Sequence, residues 1–129
     1  MVAYSFQRRF APLIREGLKT HTIRAERKRH ARPGEMLQLF TGMRTAQCER
    51  IIPDVVCTSV LPIEINLSSS RIERIEVGIV PIRNLDHFAV ADGFIDIEDM
   101  SDFWLKHHGV RPFHGVIIEW SMPSPEGRA

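Results

Sequence analysis

A lysine, two threonines and an arginine fall within six positions of one another, at Lys19, Thr20, Thr22 and Arg24. Each can take part in acyl or phosphoryl chemistry. A Thr hydroxyl is a weak nucleophile that attacks an acyl carbon only when a neighbouring base removes its proton, and Lys19 is the candidate base. Free lysine titrates near ~10.4, so acting as a base at neutral pH requires burial or nearby cations; Arg24, Arg27 and Lys28 could supply the charge. A carboxylate beside Lys19 would instead keep it charged and suit it to hold an oxyanion. A plainer reading stands beside this one, because threonine is favoured in strands whatever else it does.

The elements around these residues set a geometric condition. "THTIR" reads as a strand, and on a strand Thr20, Thr22 and Arg24 share a face while Lys19 points away from Thr22. Lys19 can join Thr22 only from outside the strand, in a turn after Gly17, whose missing side chain lets it take the left-handed conformation. Upstream, "QRRFAPLIREG" places Phe10, Leu13 and Ile14 at helical spacing, with Pro12 confined to the first turn and Gly17 at the C-terminal cap. "AYSF" is an opening strand, and Pro33-Gly34 is a turn before the strand "EMLQLF".

The middle of the chain is all β, two or three strands in "DVVCTSVLPIEINL" and "RIERIEVGIVPI" with Pro53, Pro62 and Pro81 at ends or bulges. Asp96 then caps a helix carrying Met100, Phe103 and Trp104 on one face and ending before Gly109, and "HGVIIEW" is a closing strand. Phe103 and Trp104 are core at that spacing, whereas His21 and Phe94 are the better candidates for stacking on a base. The order of elements predicts an α+β fold, a sheet of about six strands curled into a small barrel with two main helices packed at its ends.

Charge is unevenly spread. Residues 19–32 hold six bases and one acid, a local +5 that leaves −4 elsewhere against a net charge of +1. Residues 85–102 hold six acids and no Lys or Arg. One basic patch on a near-neutral chain suits a small anionic ligand or a short nucleic-acid stretch better than duplex tracking, which uses a broad basic face; a solvated charged loop is the plain alternative.

At 129 residues, with 43% hydrophobic and 26% charged, the chain is expected to form one domain over residues 1–121, followed by a disordered tail at 122–129. No stretch has the apolar length of a membrane helix or a secretory leader, which predicts a cytoplasmic protein with no membrane partner. Cys48 and Cys57 are too few for a disulfide framework and have no adjacent His, so both read as buried structural thiols. The histidines lack zinc spacing, His107 and His108 being adjacent, so no metal and no cofactor is expected.

The stretch "F..LIREGLKTHTIRAERKRHARPGEMLQL" over residues 10–39 resembles the signature of the ASCH domain, a small β-barrel related to the PUA RNA-binding fold. "ADGFIDIEDMSDFWLKHHG", residues 91–109, and "HGVIIEW" resemble later parts of the same family, and the matches cover a little under half of the chain. Some members are N4-acetylcytidine amidohydrolases. The resemblance implies Thr22 as nucleophile, Lys19 as proton carrier, Arg24 on the substrate or oxyanion, and Asp92 as the later acid, where the amidohydrolases carry Glu. The implied catalytic set is Lys19, Thr22 and Asp92; Thr20, His21, Arg24, Arg27, Lys28 and Arg29 form the implied substrate-binding set. The expected ligand is a modified nucleoside or single-stranded RNA, handled by a metal-independent amidohydrolase, by a non-catalytic RNA-binding module or by a single-strand ribonuclease. A monomer is the default.

Overall fold

The computed structural model describes residues 1–122. The chain is mixed α+β and folds as two compact units. One comprises Met1–His21, Lys28–Val60 and the described residues from Ile118 onward; the other comprises Thr22–Arg27 and Leu61–Ile117. Of the expected tail, residues 123–129 lie outside the described residues, and Met122 is described.

In the first unit, β1 (Val2–Phe6) runs parallel to β3 (Met36–Thr41), with Val2 opposite Leu37, Tyr4 opposite Leu39 and Phe6 opposite Thr41. All six of these residues are buried, because a period of two sends alternate side chains of paired strands to one face. Between them come a 3-10 turn (Arg8–Phe10) and α1 (Ala11–Arg15), which buries Phe10, Ala11 and Ile14 and has Pro12 in its first turn. The two-residue β4 (Glu49–Arg50) and the start of β5 (Val55–Leu67) pair antiparallel with β3. Tyr4 anchors the return of the basic stretch: its hydroxyl accepts the Ala31 N–H at 3.2 Å and hydrogen-bonds His30 Nδ1 at 2.9 Å.

In the second unit, the remainder of β5 pairs antiparallel with β6 (Ile72–Val77), which pairs with β7 (Val80–Pro81). Two helices follow, α2 (Leu85–Ala91) and α3 (Ile97–His107). Asp96 Oδ1 accepts the Asp99 N–H and Asp99 Oδ2 accepts the Ile95 N–H, a reciprocal cap that satisfies amides the helix cannot pair itself. Ser101 Oγ accepts the Ile72 N–H at 2.9 Å and ties α3 to β6. Strand β8 (Phe113–Ser121) pairs with β2 (His21–Ala25) and with β5.

The α+β class is as expected; among the described residues there are eight strands in place of about six and three α-helices in place of two. The additional helix, α2, has only two turns; Asn84 caps it by accepting the His87 N–H, and only Ala89 is buried, so its apolar stripe is weak. Pro62 falls inside β5, which continues as one strand of 13 residues rather than breaking there. Among the described residues the strand pairs branch at β3 and β5 without closing into a ring, and no helix is long and apolar enough to cross a membrane.

The two cysteines differ. Cys57 is buried and Cys48 is exposed, so the expectation that both are buried holds for Cys57 alone; Cys48 ends the surface turn after β3. Burial pushes the Cys57 thiol up, only partly offset by its hydrogen bond to the Ser59 carbonyl. A thiol reagent at pH 8 is expected to label Cys48 rapidly and Cys57 only after unfolding, read by intact mass. Equal labelling of both in the folded protein would contradict this packing.

Candidate functional site

Lys19 lies outside β2, as its pairing with Thr22 would require. Gly17 has φ +77°, and the Leu13 carbonyl then accepts the N–H groups of both Leu18 (2.9 Å) and Lys19 (3.1 Å), so α1 ends in a cap that turns the chain. The Lys19 side chain is only 4% exposed, and its Nζ sits 5.1 Å from the centre of the Phe10 ring. Arg9 places its guanidinium carbon 5.2 Å from the same ring centre. The Thr20 carbonyl accepts the Trp120 N–H at 3.0 Å, and His21 is buried beside it in sequence. All of these residues belong to the first unit.

Thr22 and Arg24 belong to the second unit. They share a face of β2, and the Arg24 Nε–H donates to Thr22 Oγ1 at 2.9 Å. Thr22 is 4% exposed, so this hydroxyl is shielded from bulk water and accepts from a cation. Such a contact favours the oxygen's anionic form and leaves the hydroxyl's own hydrogen for a base. Behind it, β8 approaches at Gly115. A Cβ there would lie 2.2 Å from the Arg24 carbonyl oxygen, closer than any side chain permits.

Asp92, also in the second unit, is the C-terminal cap of α2: its N–H donates to the Phe88 carbonyl at 3.0 Å, and its side chain is buried. Gly93 follows with φ +101°, a left-handed residue that ends the helix and leads the chain to Phe94. Phe94 is buried against Phe103 with ring centres 5.2 Å apart.

The basic stretch divides. Arg27, Lys28 and Arg29 are exposed, but Arg29 grips the Glu35 carboxylate with both Nη atoms while the Arg32 N–H donates to the same carboxylate at 2.7 Å. Glu35 is held below the usual carboxylate range first by the Arg29 hydrogen bond and then by the Arg32 amide. A depressed folded-state value means that the contact's contribution is present above about 4.5 and is lost as pH falls through the lowered value. The Arg32 amide resonance is therefore expected to shift with a midpoint below 4.5, and Glu35→Gln should abolish that transition. A midpoint at or above the ordinary value would contradict the lock.

The residue that sequence reasoning passed over is Arg9. Phe10 registered only as an apolar helix position, and the signal was the Arg-Phe pair itself, a cation next to a ring that the following helix buries. Among the described residues no group of three or more His, Cys, Asp or Glu is placed to hold a metal ion. No protein-family model, no curated protein and no solved structure matches this chain.

Proposed function

We propose that this chain is an ASCH-type domain of the PUA-like barrel class, acting in the cytoplasm as a metal-independent amidohydrolase on an acylated nucleoside of the N4-acetylcytidine kind. The observation that carries the reading is the Arg24 Nε–H donated to the buried Thr22 hydroxyl at 2.9 Å. A threonine serving only as a strand former has no need of a guanidinium on its oxygen, whereas a nucleophile gains from one.

In this chemistry Thr22 Oγ1 adds to the acetyl carbon and yields its proton to a base, the role that the ASCH resemblance implies for Lys19. Collapse of the tetrahedral adduct breaks the bond between the acyl carbon and N4. The leaving amine takes a proton and departs as cytidine, and water then releases acetate from the acylated Thr22. Arg24 stabilises the developing negative charge. Asp92 orients the amine or the base; it is one methylene shorter than the Glu of the amidohydrolases. Incubation with N4-acetylcytidine should release cytidine and acetate in equal amounts. Absence of both products at high enzyme concentration would overturn the reading.

A second reading, a module that binds single-stranded RNA without turnover, is favoured by the charge of the first unit. Its described residues carry nine Lys and Arg against five Asp and Glu, +4, while those of the second unit carry seven against ten, −3. RNA affinity that falls steeply with salt, with no product formed, would select it.

A further inference from the structure

A cavity of about 340 Å³ opens within the second unit, lined by Ser70 and Arg71 from the turn before β6 and by Ile97, Glu98, Ser101 and Asp102 of α3. That volume lies at the lower end of the range of small-molecule sites, about 300–1,000 Å³. It suits a molecule of amino-acid size.

The lining carries charges of both signs that do not meet. Glu98 and Asp102 stand one turn apart on α3, and among the described residues neither carboxylate accepts a hydrogen bond or pairs with a Lys, Arg or His. Glu98 sits in the first turn, where the helix dipole favours an acid. Asp102 lies beyond that turn, and a like charge four residues from Glu98 destabilises the helix, so α3 by itself gives no reason for it. The Arg71 Nε stands 3.8 Å from the Glu73 carboxylate, and both side chains are at least half exposed, a pairing that is weak in water. The Nη groups of Arg71 meet no acceptor among the described residues.

The cavity also holds a buried donor. Ser101 is 1% exposed, and its Oγ accepts the Ile72 N–H at 2.9 Å while its own hydrogen is donated to no described residue. A hydroxyl hydrogen buried without an acceptor costs free energy, and a ligand oxygen in the cavity supplies the acceptor. The first amides of α3 are not competing for that oxygen, because Asp86 accepts the Ile97 N–H and Asp96 accepts the Asp99 N–H.

We propose that this cavity is a binding site for a free basic α-amino acid, its carboxylate on the Arg71 guanidinium and the Ser101 hydroxyl and its two cationic groups on Glu98 and Asp102. Two carboxylates against one guanidinium leave the lining at −1, which matches a ligand of single net positive charge, and the −3 of the whole unit draws such a ligand in. The planar fork of Arg71 fits a carboxylate with two parallel bonds. The site uses none of the residues of the amidohydrolase reading and stands without it.

Amide NMR and calorimetric titration of the full chain at low salt test this with L-lysine and L-arginine, with L-norleucine, which lacks the side-chain cation, and with cadaverine, which lacks the carboxylate. At least one of the two basic amino acids should shift the amides of Arg71, Glu98, Ser101 and Asp102 saturably. Norleucine and cadaverine should bind at least about tenfold more weakly, since each forgoes a charge-assisted contact. Arg71→Gln should remove the advantage of the basic amino acid over cadaverine, Arg71→Lys should restore part of it, and Asp102→Asn should weaken the basic amino acid by a similar factor. Both positions are exposed, so the fold is retained. The proposal is overturned if neither basic amino acid gives saturable shifts, if the shifts map away from α3 and Arg71, if cadaverine binds as tightly as the basic amino acid, or if Arg71→Gln keeps the preference.

Discussion

Thr22→Ala is expected to lower the turnover of N4-acetylcytidine by at least about a thousandfold, since loss of a nucleophile removes the covalent route and leaves only binding and charge stabilisation. The fold should survive. The substitution removes one hydrogen-bond acceptor, leaving the Arg24 Nε–H without its 2.9 Å partner, at a cost of about 1 kcal/mol. Thr22→Ser keeps the oxygen and should retain measurable activity; its freer rotamer lowers the rate, because a hydroxyl on an unbranched side chain is less firmly aimed. Release of cytidine, followed chromatographically on the three proteins at equal thermal stability, checks this. Undiminished turnover by Thr22→Ala would end the nucleophile assignment while leaving an amidohydrolase of another mechanism open to test through Asp92→Asn.

Gly115→Ala is expected to be among the most damaging single-methyl changes available in this chain. The added Cβ would stand 2.2 Å from the Arg24 carbonyl oxygen and 2.6 Å from the Phe113 ring. A flexible side chain can move aside, but a backbone carbonyl engaged in strand pairing cannot do so without carrying β2 with it. Overpacking of this kind typically costs about 1–3 kcal/mol, and a backbone clash sits at or above the top of that range. The melting temperature should fall by roughly 10 °C or more. Gly78→Ala is the control: its φ of +63° is strained for alanine, yet nothing lies within 4 Å of the added Cβ, so only the left-handed penalty of about 1–2 kcal/mol applies. The second consequence of Gly115→Ala is chemical. Arg24 is the residue whose carbonyl is displaced and whose Nε–H meets Thr22, so in any folded fraction turnover per molecule should fall as well. Equal stability of the two variants would show that β8 does not approach β2 as described.

Much of the local structure was legible in the chain because its causes are local. The left-handed Gly17, the early Pro12, the Asp96 cap and the Gly109 that ends α3 each act within a turn of their own position. The alternation of "THTIR" fixes that Thr22 and Arg24 share a face of β2 however the strand is later packed. Lys19 outside that strand followed from Gly17 for the same reason. Helix α2 was not legible, since two turns with one buried residue leave little periodic signal.

What only the tertiary structure decided are the contacts between residues distant in sequence, which no local rule specifies. The parallel pairing of β1 with β3 spans the intervening helix and strand. Gly115 has an ordinary place in a strand sequence, and its need to be glycine comes first from the Arg24 carbonyl some ninety residues earlier and then from the Phe113 ring. The basic run read as a continuous charge of one kind, until Glu35 was seen to occupy Arg29 and the Arg32 amide. Cys48 and Cys57 differ in exposure because one ends a surface turn and the other falls on a buried position of the alternating strand β5. Which residues could act on an acyl group was set by the chain; that Arg24 meets Thr22, and that Arg9 and Lys19 share one ring, was set by packing.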